Sequence, residues 1–422
     1  MRGRIIICAV TLLTLTACAP ERVTQQAGAT AEPAEAEVTV TQEEPPSAPS
    51  QDTSDGDPIA APSPQPSPVR SPSPAFEPRA VTINVSGDLL WHNTLFKSAE
   101  LDARAAGTEG MDFAPQLASL KPFVERADIG VCHAEVPLAP EGGPYTGYPM
   151  FGAPHETLDA IVESGWDVCT TASNHTMDKG WEGLVRTVDE FESAGILAVG
   201  THRTEEEASA PQIHTTDDDV KVGFVSQTYG LNGLPKSKGR DWSVALIDAD
   251  TAIRSAKAAK EAGADIVAVH IHAGDEYVHS PNAQQREFAE KVTASEYVDF
   301  VFGQHAHVVQ PIDKVNNKWV LYGSGNLIAQ SGPAKPYTYD GYLAEIKFVE
   351  EAPGEFVAEG VEWAPTYITK HQGSTPARVH LIPAALEEGV GDQAALEKSA
   401  ERTRKIVEEY EPEGLVELTS IS

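Results

Sequence analysis

From Ala80 onward, short apolar runs alternate with longer segments in which apolar residues recur every three or four positions. The short runs predict buried strands, and the longer periodicity predicts amphipathic helices. In the opening strand, Val81, Ile83 and Val85 alternate with polar residues and lead into a Ser-Gly-Asp turn. Further strands are predicted at 127–132, 167–171, 196–199, 220–225, 242–247, 266–271, 298–302 and 319–322, and helices at 155–164, 181–194, 251–262, 284–295 and 393–410.

Two longer alternating segments, 341–349 and 355–363, predict a hairpin that belongs to a second sheet. Strands that alternate with helices and are followed by a hairpin are typical of mixed α/β proteins. The pattern therefore predicts one α/β domain over residues 80–422, with two packed β-sheets flanked by helices.

Before this domain, residues 18–79 carry no apolar periodicity and almost no aromatic side chains. They are rich in Pro, Ser, Ala, Glu and Thr, and Pro recurs at almost every second position from 62 to 74. Such a segment cannot bury enough apolar surface to offset the entropy of ordering it. We expect a disordered, partly polyproline-extended tether.

The first residues predict export from the cytoplasm. Two arginines precede an apolar stretch, 5–15, that has the length of a signal peptide and is too short to span a bilayer. The stretch leads into Leu15-Thr16-Ala17-Cys18, which resembles the lipobox of bacterial lipoproteins. The resemblance implies removal of a signal peptide, 1–17, and lipidation of Cys18, which would anchor an extracytoplasmic protein to the bacterial cell membrane. An ordinary secretory signal with a chance cysteine is the alternative.

Charge limits the partners that the chain can bind. The formal net charge is −32 and the isoelectric point is about 4.7. Because nucleic-acid binding depends on Lys and Arg that neutralise phosphates, we expect no nucleic-acid partner for the general surface.

Two cysteines, Cys132 and Cys169, lie at the ends of predicted strands inside the domain. Outside the cytoplasm they could form a disulfide, or they could be small buried hydrophobic side chains. No feature of the sequence brings the two positions together, so the second interpretation is favoured.

Polar side chains of metal-ligand type follow five of the predicted strands, at the carboxyl ends where open α/β sheets build their sites. Carboxylate, amide and imidazole groups together suit Mn, Fe or Zn ions, and the lack of cysteine ligands argues against a closed structural zinc site. His305 and His307 flank one small residue, so alternation in an extended segment would point both to one side. The five segments are Ser86-Gly87-Asp88, His133-Ala134-Glu135, Ala172-Ser173-Asn174-His175 with Asp178, His270-Ile271-His272-Ala273-Gly274 with Glu276, and Gly303-Gln304-His305-Ala306-His307.

The order of these motifs resembles the CapA family of poly-γ-glutamate capsule-synthesis proteins, a branch of the calcineurin-like metallophosphoesterase superfamily. The resemblance covers about residues 81–330 and ends in Tyr322-Gly323-Ser324-Gly325-Asn326. Each motif alone has little specificity, but their succession in one order is specific. The resemblance implies a metallophosphoesterase-like four-layer sandwich and two divalent transition metals, Mn, Fe or Zn, as cofactors.

The family pattern, carried over residue by residue, also implies a role for each side chain. Asp88 and His307 would hold the first metal, and Glu135 would bridge both metals. The second metal would be completed by Asn174, His272 and His305. His175 would face the substrate as a general acid or transition-state donor, and Asp178 would either orient His175 or cap the helix that follows.

Two positions depart from the pattern. Many superfamily members carry His two residues after the opening Asp, and here Leu90 takes that place, so the first metal lacks one expected imidazole. Where relatives usually have Asn two residues before Glu135, this chain has His133, which strand alternation puts on the same side as Glu135. His133 or His92 could replace the missing ligand, although each fits a satisfied or exposed histidine better.

Two functions remain open. The first, which is favoured, is a surface-anchored metal-dependent hydrolase that acts on a phosphoester or anionic polymer in the synthesis or anchoring of poly-γ-glutamate or a related cell-envelope polymer. The second is a metal-poor, non-catalytic accessory or binding subunit of a membrane polymer synthase, an alternative that rests on Leu90. In either case the expected partners are the membrane, through Cys18, and a polymer synthase complex.

Overall fold

Two β-sheets pack face to face, and helices cover the outer face of each. The computed structural model describes residues 76–332 and 335–420. The strands are β1 (Ala80–Leu89), β2 (Ile129–Ala134), β3 (Val168–Thr170), β4 (Leu197–Val199), β5 (Gln212–Thr215), β6 (Lys221–Thr228), β7 (Ile266–His272), β8 (Phe300–Gln304), β9 (Ile312–Val315), β10 (Lys318–Leu321), β11 (Asn326–Ile328), β12 (Asp340–Ala352), β13 (Glu355–Ile368), β14 (Val379–Leu381) and β15 (Leu415–Glu417). The helices are α1 (Asn93–Ala106), α2 (Ala114–Leu117), α3 (Lys121–Val124), α4 (Glu156–Glu163), α5 (Gly180–Ser193), α6 (Glu205–Ser209), α7 (Ala249–Glu261), α8 (Ala283–Thr293), α9 (Ile382–Glu388) and α10 (Gln393–Val407).

The parallel strands of both sheets bring their carboxyl ends to the site described below. The larger sheet has the order β14-β13-β12-β1-β2-β3-β4, with β11 beside β1 and β15 beside β13. In it, β1, β2, β3 and β4 run parallel. The smaller sheet has the order β5-β6-β7-β8-β10-β9, and β6, β7, β8 and β10 run parallel. Parallel strands buried on both faces explain the continuous apolar runs of the sequence.

The apolar residues form three layers of core. Between the sheets, Ile83 and Val85 of β1 belong to one buried cluster with Phe224 and Phe300 of the smaller sheet. A second cluster packs α1 to α5 against the outer face of the larger sheet, and a third packs α7 and α8 against the smaller one. The resulting order of helix, sheet, sheet and helix confirms the predicted fold class.

Two expectations about strands are wrong. The hairpin of β12 and β13 exists, but β12 pairs antiparallel with β1 in the larger sheet, whereas β5 to β10 form the second sheet. Alternation identifies a strand without identifying its neighbour, and here β1 offers a free edge beside β12. The segment 242–247 is not a strand: it overlaps a 3-10 helix, Asp241–Ser243, and continues with single bridges at Val244 and Leu246.

The expectation that the two cysteines stay apart is also wrong, because the structure joins Cys132 and Cys169 in a disulfide. They occupy directly opposed positions of the neighbouring parallel strands β2 and β3, and their Cα atoms lie 4.5 Å apart. That separation lies within the range that disulfides span. Pairing register, which the sequence alone does not reveal, brings the two positions together.

The predicted signal peptide, 1–17, the lipidated Cys18 and the tether up to residue 75 lie outside the described residues. Within residues 76–332 and 335–420, none of the helices combines the length and apolar character needed to cross a bilayer.

Candidate metal centre

The six residues expected to hold metals lie together at the carboxyl ends of the parallel strands. Asp88 is the second-last residue of β1, and Glu135 and Asn174 follow β2 and β3, so the larger sheet supplies three of them. The smaller sheet supplies the other three, since His272 ends β7 and His305 and His307 follow β8. All six are buried.

Three of these residues form one half of the cluster. Asp88, Glu135 and His307 each offer a ligand atom within 4.8 Å of the others. His307 Nδ1 lies 3.1 Å from Asp88 Oδ2, and His307 Nε2 lies 3.6 Å from Glu135 Oε1. This is the group that the resemblance assigns to the first metal together with the bridging carboxylate.

The other half forms around His272. Its Nε2 lies 2.8 Å from Asn174 Oδ1 and 4.0 Å from Glu135 Oε1, and its ring centre lies 4.7 Å from that of His305. Glu135 Oε1 therefore lies within 4.0 Å of a histidine from each half of the cluster.

Glu135 provides the test of whether these residues fit a metal. The residue is 1% exposed, and neither carboxylate oxygen has a hydrogen-bond partner within the described residues; the same holds for Asp88 Oδ1. Burial raises the pKa of Glu135 well above its usual value. A buried carboxylate without partners costs several kcal/mol, roughly, unless a cation offsets the charge. The donor set of carboxylate, amide and imidazole therefore fits divalent transition metals.

The histidines divide into two electrostatic classes. Burial lowers the pKa of His305 to about 3, and burial together with His270 lowers that of His133 to about 3. Burial by itself also lowers the pKa of His307, but the carboxylates of Glu135 and Asp88 outweigh it and raise this pKa to about 10. Burial likewise lowers the pKa of His272. Neutral imidazole is the form that binds metals, and the histidines whose pKa is lowered are in that form near neutral pH.

His175 lies at the edge of the cluster and is held by Asp178. His175 Nδ1 and Asp178 Oδ2 are 2.7 Å apart, and the same oxygen accepts a hydrogen bond from the Phe151 amide at 2.8 Å. Helix α5 begins at Gly180 without a side-chain cap. Asp178 therefore contacts His175 and Phe151 and does not cap α5.

The two histidines after β8 converge for a reason other than the one expected. His305 has φ of 104° and His307 has φ of 56°, so both lie in the left-handed region, not in an extended segment. Non-glycine residues held there store strain that functional sites often carry. Their ring centres are 5.8 Å apart.

The residues that depart from the family pattern, and those that could replace the missing ligand, have different surroundings in the structure. Leu90 is buried in the apolar cluster under the larger sheet and offers no ligand atom. The Nδ1 atom of His92 accepts a hydrogen bond from the Gln330 amide at 3.2 Å. His133 does face the site, as strand alternation predicts, and its Nε2 lies 2.9 Å from His272 Nδ1.

Sequence reasoning missed Tyr229 and Asn232 beside the cluster, whereas Asn326 was already part of the family pattern. The Tyr229 ring lies 4.5 Å from His305, and Asn232 Oδ1 accepts a hydrogen bond from Asn174 Nδ2 at 3.2 Å. Asn326, which pairs with Asp88 in the sheet, places Oδ1 3.0 Å from His307 Nδ1. Tyr229 directly follows β6, so the strand-end argument that found the ligands could have found it.

One polar contact joins the two sheets beside the cluster. The Gln304 amide at the end of β8 donates to the Ser86 carbonyl of β1 at 2.7 Å. On the other side of β1, the carbonyl of Gly325 approaches Gly87 so closely that any Cβ there would collide with it. Glycine at this position therefore lets β11 and Asn326 reach Asp88.

Comparison with known proteins identifies a bacterial family that matches this chain. Residues 82–331 match the family described as bacterial capsule synthesis protein PGA_cap. The PGA biosynthesis protein CapA of Bacillus subtilis is 27% identical over 201 residues, which cover 48% of this chain and 52% of that protein. The capsule biosynthesis protein CapA of Bacillus anthracis is 28% identical over 187 residues, which cover 43% of this chain and 44% of that protein. The chain thus spans about half the length of the curated relatives it matches.

Among solved structures, the calcineurin-like phosphoesterase YfkN from Bacillus subtilis aligns with a TM-score of 0.43 and 14% identity, over 79% of this chain and 99% of that one. The family match extends over more than half of the chain and contains all six clustered residues. The chain therefore belongs to the bacterial capsule synthesis protein PGA_cap family, as the CapA resemblance predicted.

Proposed function

We propose that the chain is a surface-anchored dimetal hydrolase that takes part in the synthesis or anchoring of poly-γ-glutamate or a related cell-envelope polymer. The observation that carries the proposal is the buried Glu135, whose two oxygens find no hydrogen-bond partner among the described residues and which lies near Asp88, His272 and His307. Relatives named for capsule and PGA biosynthesis support the polymer class.

In this proposal the chain holds two divalent ions, Mn, Fe or Zn, through the six clustered residues. Such a pair polarises the bond to be cleaved and stabilises charge on the attacking and leaving oxygens. His175 acts as a general acid or transition-state donor: Nδ1–H donates to Asp178, and the hydrogen offered to the substrate is the one that Nε2 carries. The same arrangement serves a phosphoester or an amide link.

The accessory alternative is favoured by one observation, the burial of Leu90. Because Leu90 packs in the core, the first metal position keeps Asp88, Glu135 and His307 but lacks a second imidazole. Turnover of a chromogenic phosphodiester by the metal-loaded chain separates the two functions: a hydrolase turns it over, and an accessory subunit does not.

The test of the metal site is elemental analysis of the full chain, purified in detergent and supplied in turn with Mn, Fe and Zn. We expect about two ions per chain. Glu135→Gln keeps the shape but removes the shared charge, so it should lose at least one ion. Glu359→Gln removes an equal charge from an exposed position of β13 and should lose none. A natural chain that binds no ion after all three additions would contradict the proposal.

Anchoring through Cys18 and association with a membrane polymer synthase belong to the same proposal. Lipidation of Cys18 would hold the chain in the membrane fraction, and Cys18→Ser should move it to the soluble fraction. Equal distribution of both chains between the fractions would contradict anchoring without affecting the metal site.

A further inference from the structure

We infer that His133 is a positioning residue that orients the metal ligand His272 and is not itself a ligand. The inference rests on the proposed metal pair. It concerns a fully buried histidine that the proposed function does not use. The observation behind it is a chain of hydrogen bonds that leads from β3 into the cluster.

Both ring nitrogens of His133 have partners. Nε2 lies 2.9 Å from His272 Nδ1, and Nδ1 lies 2.8 Å from Thr170 Oγ1. Thr170 is the direct neighbour of His133 in the pairing of β2 with β3, and its hydroxyl is 3.4 Å from the Cys132 carbonyl. The hydrogen bonds thus connect Cys132 through Thr170 and His133 to His272.

This series of hydrogen bonds ends at His272, whose other ring nitrogen faces the cluster. Nε2 of His272 points at Asn174 Oδ1 and Glu135, so it is the nitrogen available to an ion. A nitrogen bound to an ion carries no hydrogen, so Nδ1 must carry it and needs an acceptor. The partner of a ligating histidine on its other nitrogen fixes the tautomer and the ring orientation.

His133 is the residue that can accept this hydrogen. If His272 Nδ1–H donates to His133 Nε2, then His133 carries its own hydrogen on Nδ1 and donates it to Thr170. The Thr170 hydroxyl then donates to the Cys132 carbonyl, and every donor in the chain has an acceptor. Without an ion, the donor and acceptor of each hydrogen bond in this series can exchange roles, and His272 Nε2–H then donates to Asn174 Oδ1.

A ligand role for His133 would conflict with this arrangement. In its neutral form the ring has one nitrogen lone pair, and the hydrogen bond from His272 occupies it. Asp88 Oδ1 lies 4.0 Å from Nε2, and Asp88, His133 and His272 are close enough together to share an ion, but the hydrogen bond from His272 leaves no free lone pair on His133 for it. His133 therefore does not replace the imidazole that is missing at Leu90.

The experiment uses the full chain and measures metal affinity by competition with a chelator. His133→Phe keeps the ring volume but leaves His272 Nδ1–H without an acceptor, and we expect roughly 10- to 100-fold weaker binding of one ion. His133→Gln offers a carbonyl oxygen in place of Nε2 and should restore most of the affinity. Thr170→Val leaves His133 Nδ1–H without its acceptor and should cause an intermediate loss. His202→Phe, at a half-buried histidine outside the cluster, is the matched control.

A second readout is the tautomer itself. In the zinc-loaded chain labelled with ¹⁵N-histidine, His272 should carry its hydrogen on Nδ1, and so should His133. Equal losses of affinity in His133→Gln and His133→Phe would overturn the inference, because an amide is a far poorer ligand than imidazole for these ions. Full affinity in both Phe and Val variants would also overturn it. A natural chain without metal contradicts the proposed function instead, and that result is obtained before any variant is made.

Discussion

At the residue scale, Asp178 is the clearest second test of the site. Its charge holds His175 Nδ1 at 2.7 Å, so Asp178→Asn should weaken the orientation of the imidazole and leave the metal ligands in place. If the proposed hydrolase activity is correct, turnover of a phosphodiester should fall roughly 10²-fold, the lower end of what a positioned general acid contributes. The measurement pairs turnover with metal content. Loss of metal in Asp178→Asn would contradict the division of roles.

The candidate site could be predicted largely from residue types at strand ends. Asp88, Glu135, Asn174 and His272 each lie where a parallel strand stops, and the sheet brings those ends together. The positive φ values of His305 and of His307 could not be predicted, because the loop conformation depends on contacts from distant parts of the chain.

At the scale of elements, the disulfide between β2 and β3 makes a testable contribution. It closes a loop with a sequence separation of 37 residues, so replacing both Cys132 and Cys169 by Ala should lower the free energy of unfolding by about 2–4 kcal/mol. Urea unfolding of the natural chain and of the double variant measures the difference. Thiol counting in denaturant, before and after reduction, should show two additional thiols only after reduction. The same count at both steps would contradict the disulfide.

Periodicity predicted most helices and strands because burial imposes it directly. Helix α5 and strand β7 lie within a few residues of their expected bounds. What periodicity could not supply is pairing: β12 joins β1 in the larger sheet because their register matches over Ala80–Val85, far apart in sequence from 344–349. The same gap explains why Cys132 and Cys169 were not expected to meet.

At the scale of the whole molecule, the buried and half-buried histidines predict sensitivity to acid. Burial lowers the pKa of His202 to about 4, and Glu207 opposes this shift only partly. Below about pH 6.5, His202 binds a proton in the unfolded chain but stays neutral in the folded chain. The stabilising contribution of neutral His202 is therefore present above that pH and is lost as the pH falls toward 4, by about 1 kcal/mol per pH unit.

The measurement is urea unfolding of the metal-free chain at several pH values between about 7.5 and 5. Free energy should fall with pH, and His202→Gln should make the slope shallower. The other histidines whose pKa burial lowers act in the same direction; these are His92, His133, His270, His272, His305 and His380. His307 acts in the opposite sense, because its raised pKa favours the folded chain at low pH. An unchanged slope in His202→Gln would show that His202 is not held neutral.

The division of the cluster between the two sheets has a mechanical consequence. Three candidate ligands belong to the larger sheet and three to the smaller one, and the nearby Gln304–Ser86 hydrogen bond also joins the two. An ion bound there would link the two sheets across the apolar core between them. At an ion concentration of roughly 100 times the dissociation constant, it would add about 3 kcal/mol to stability. Any slippage of one sheet against the other would also change the ligand distances, so affinity for the ion would report on packing far from the site.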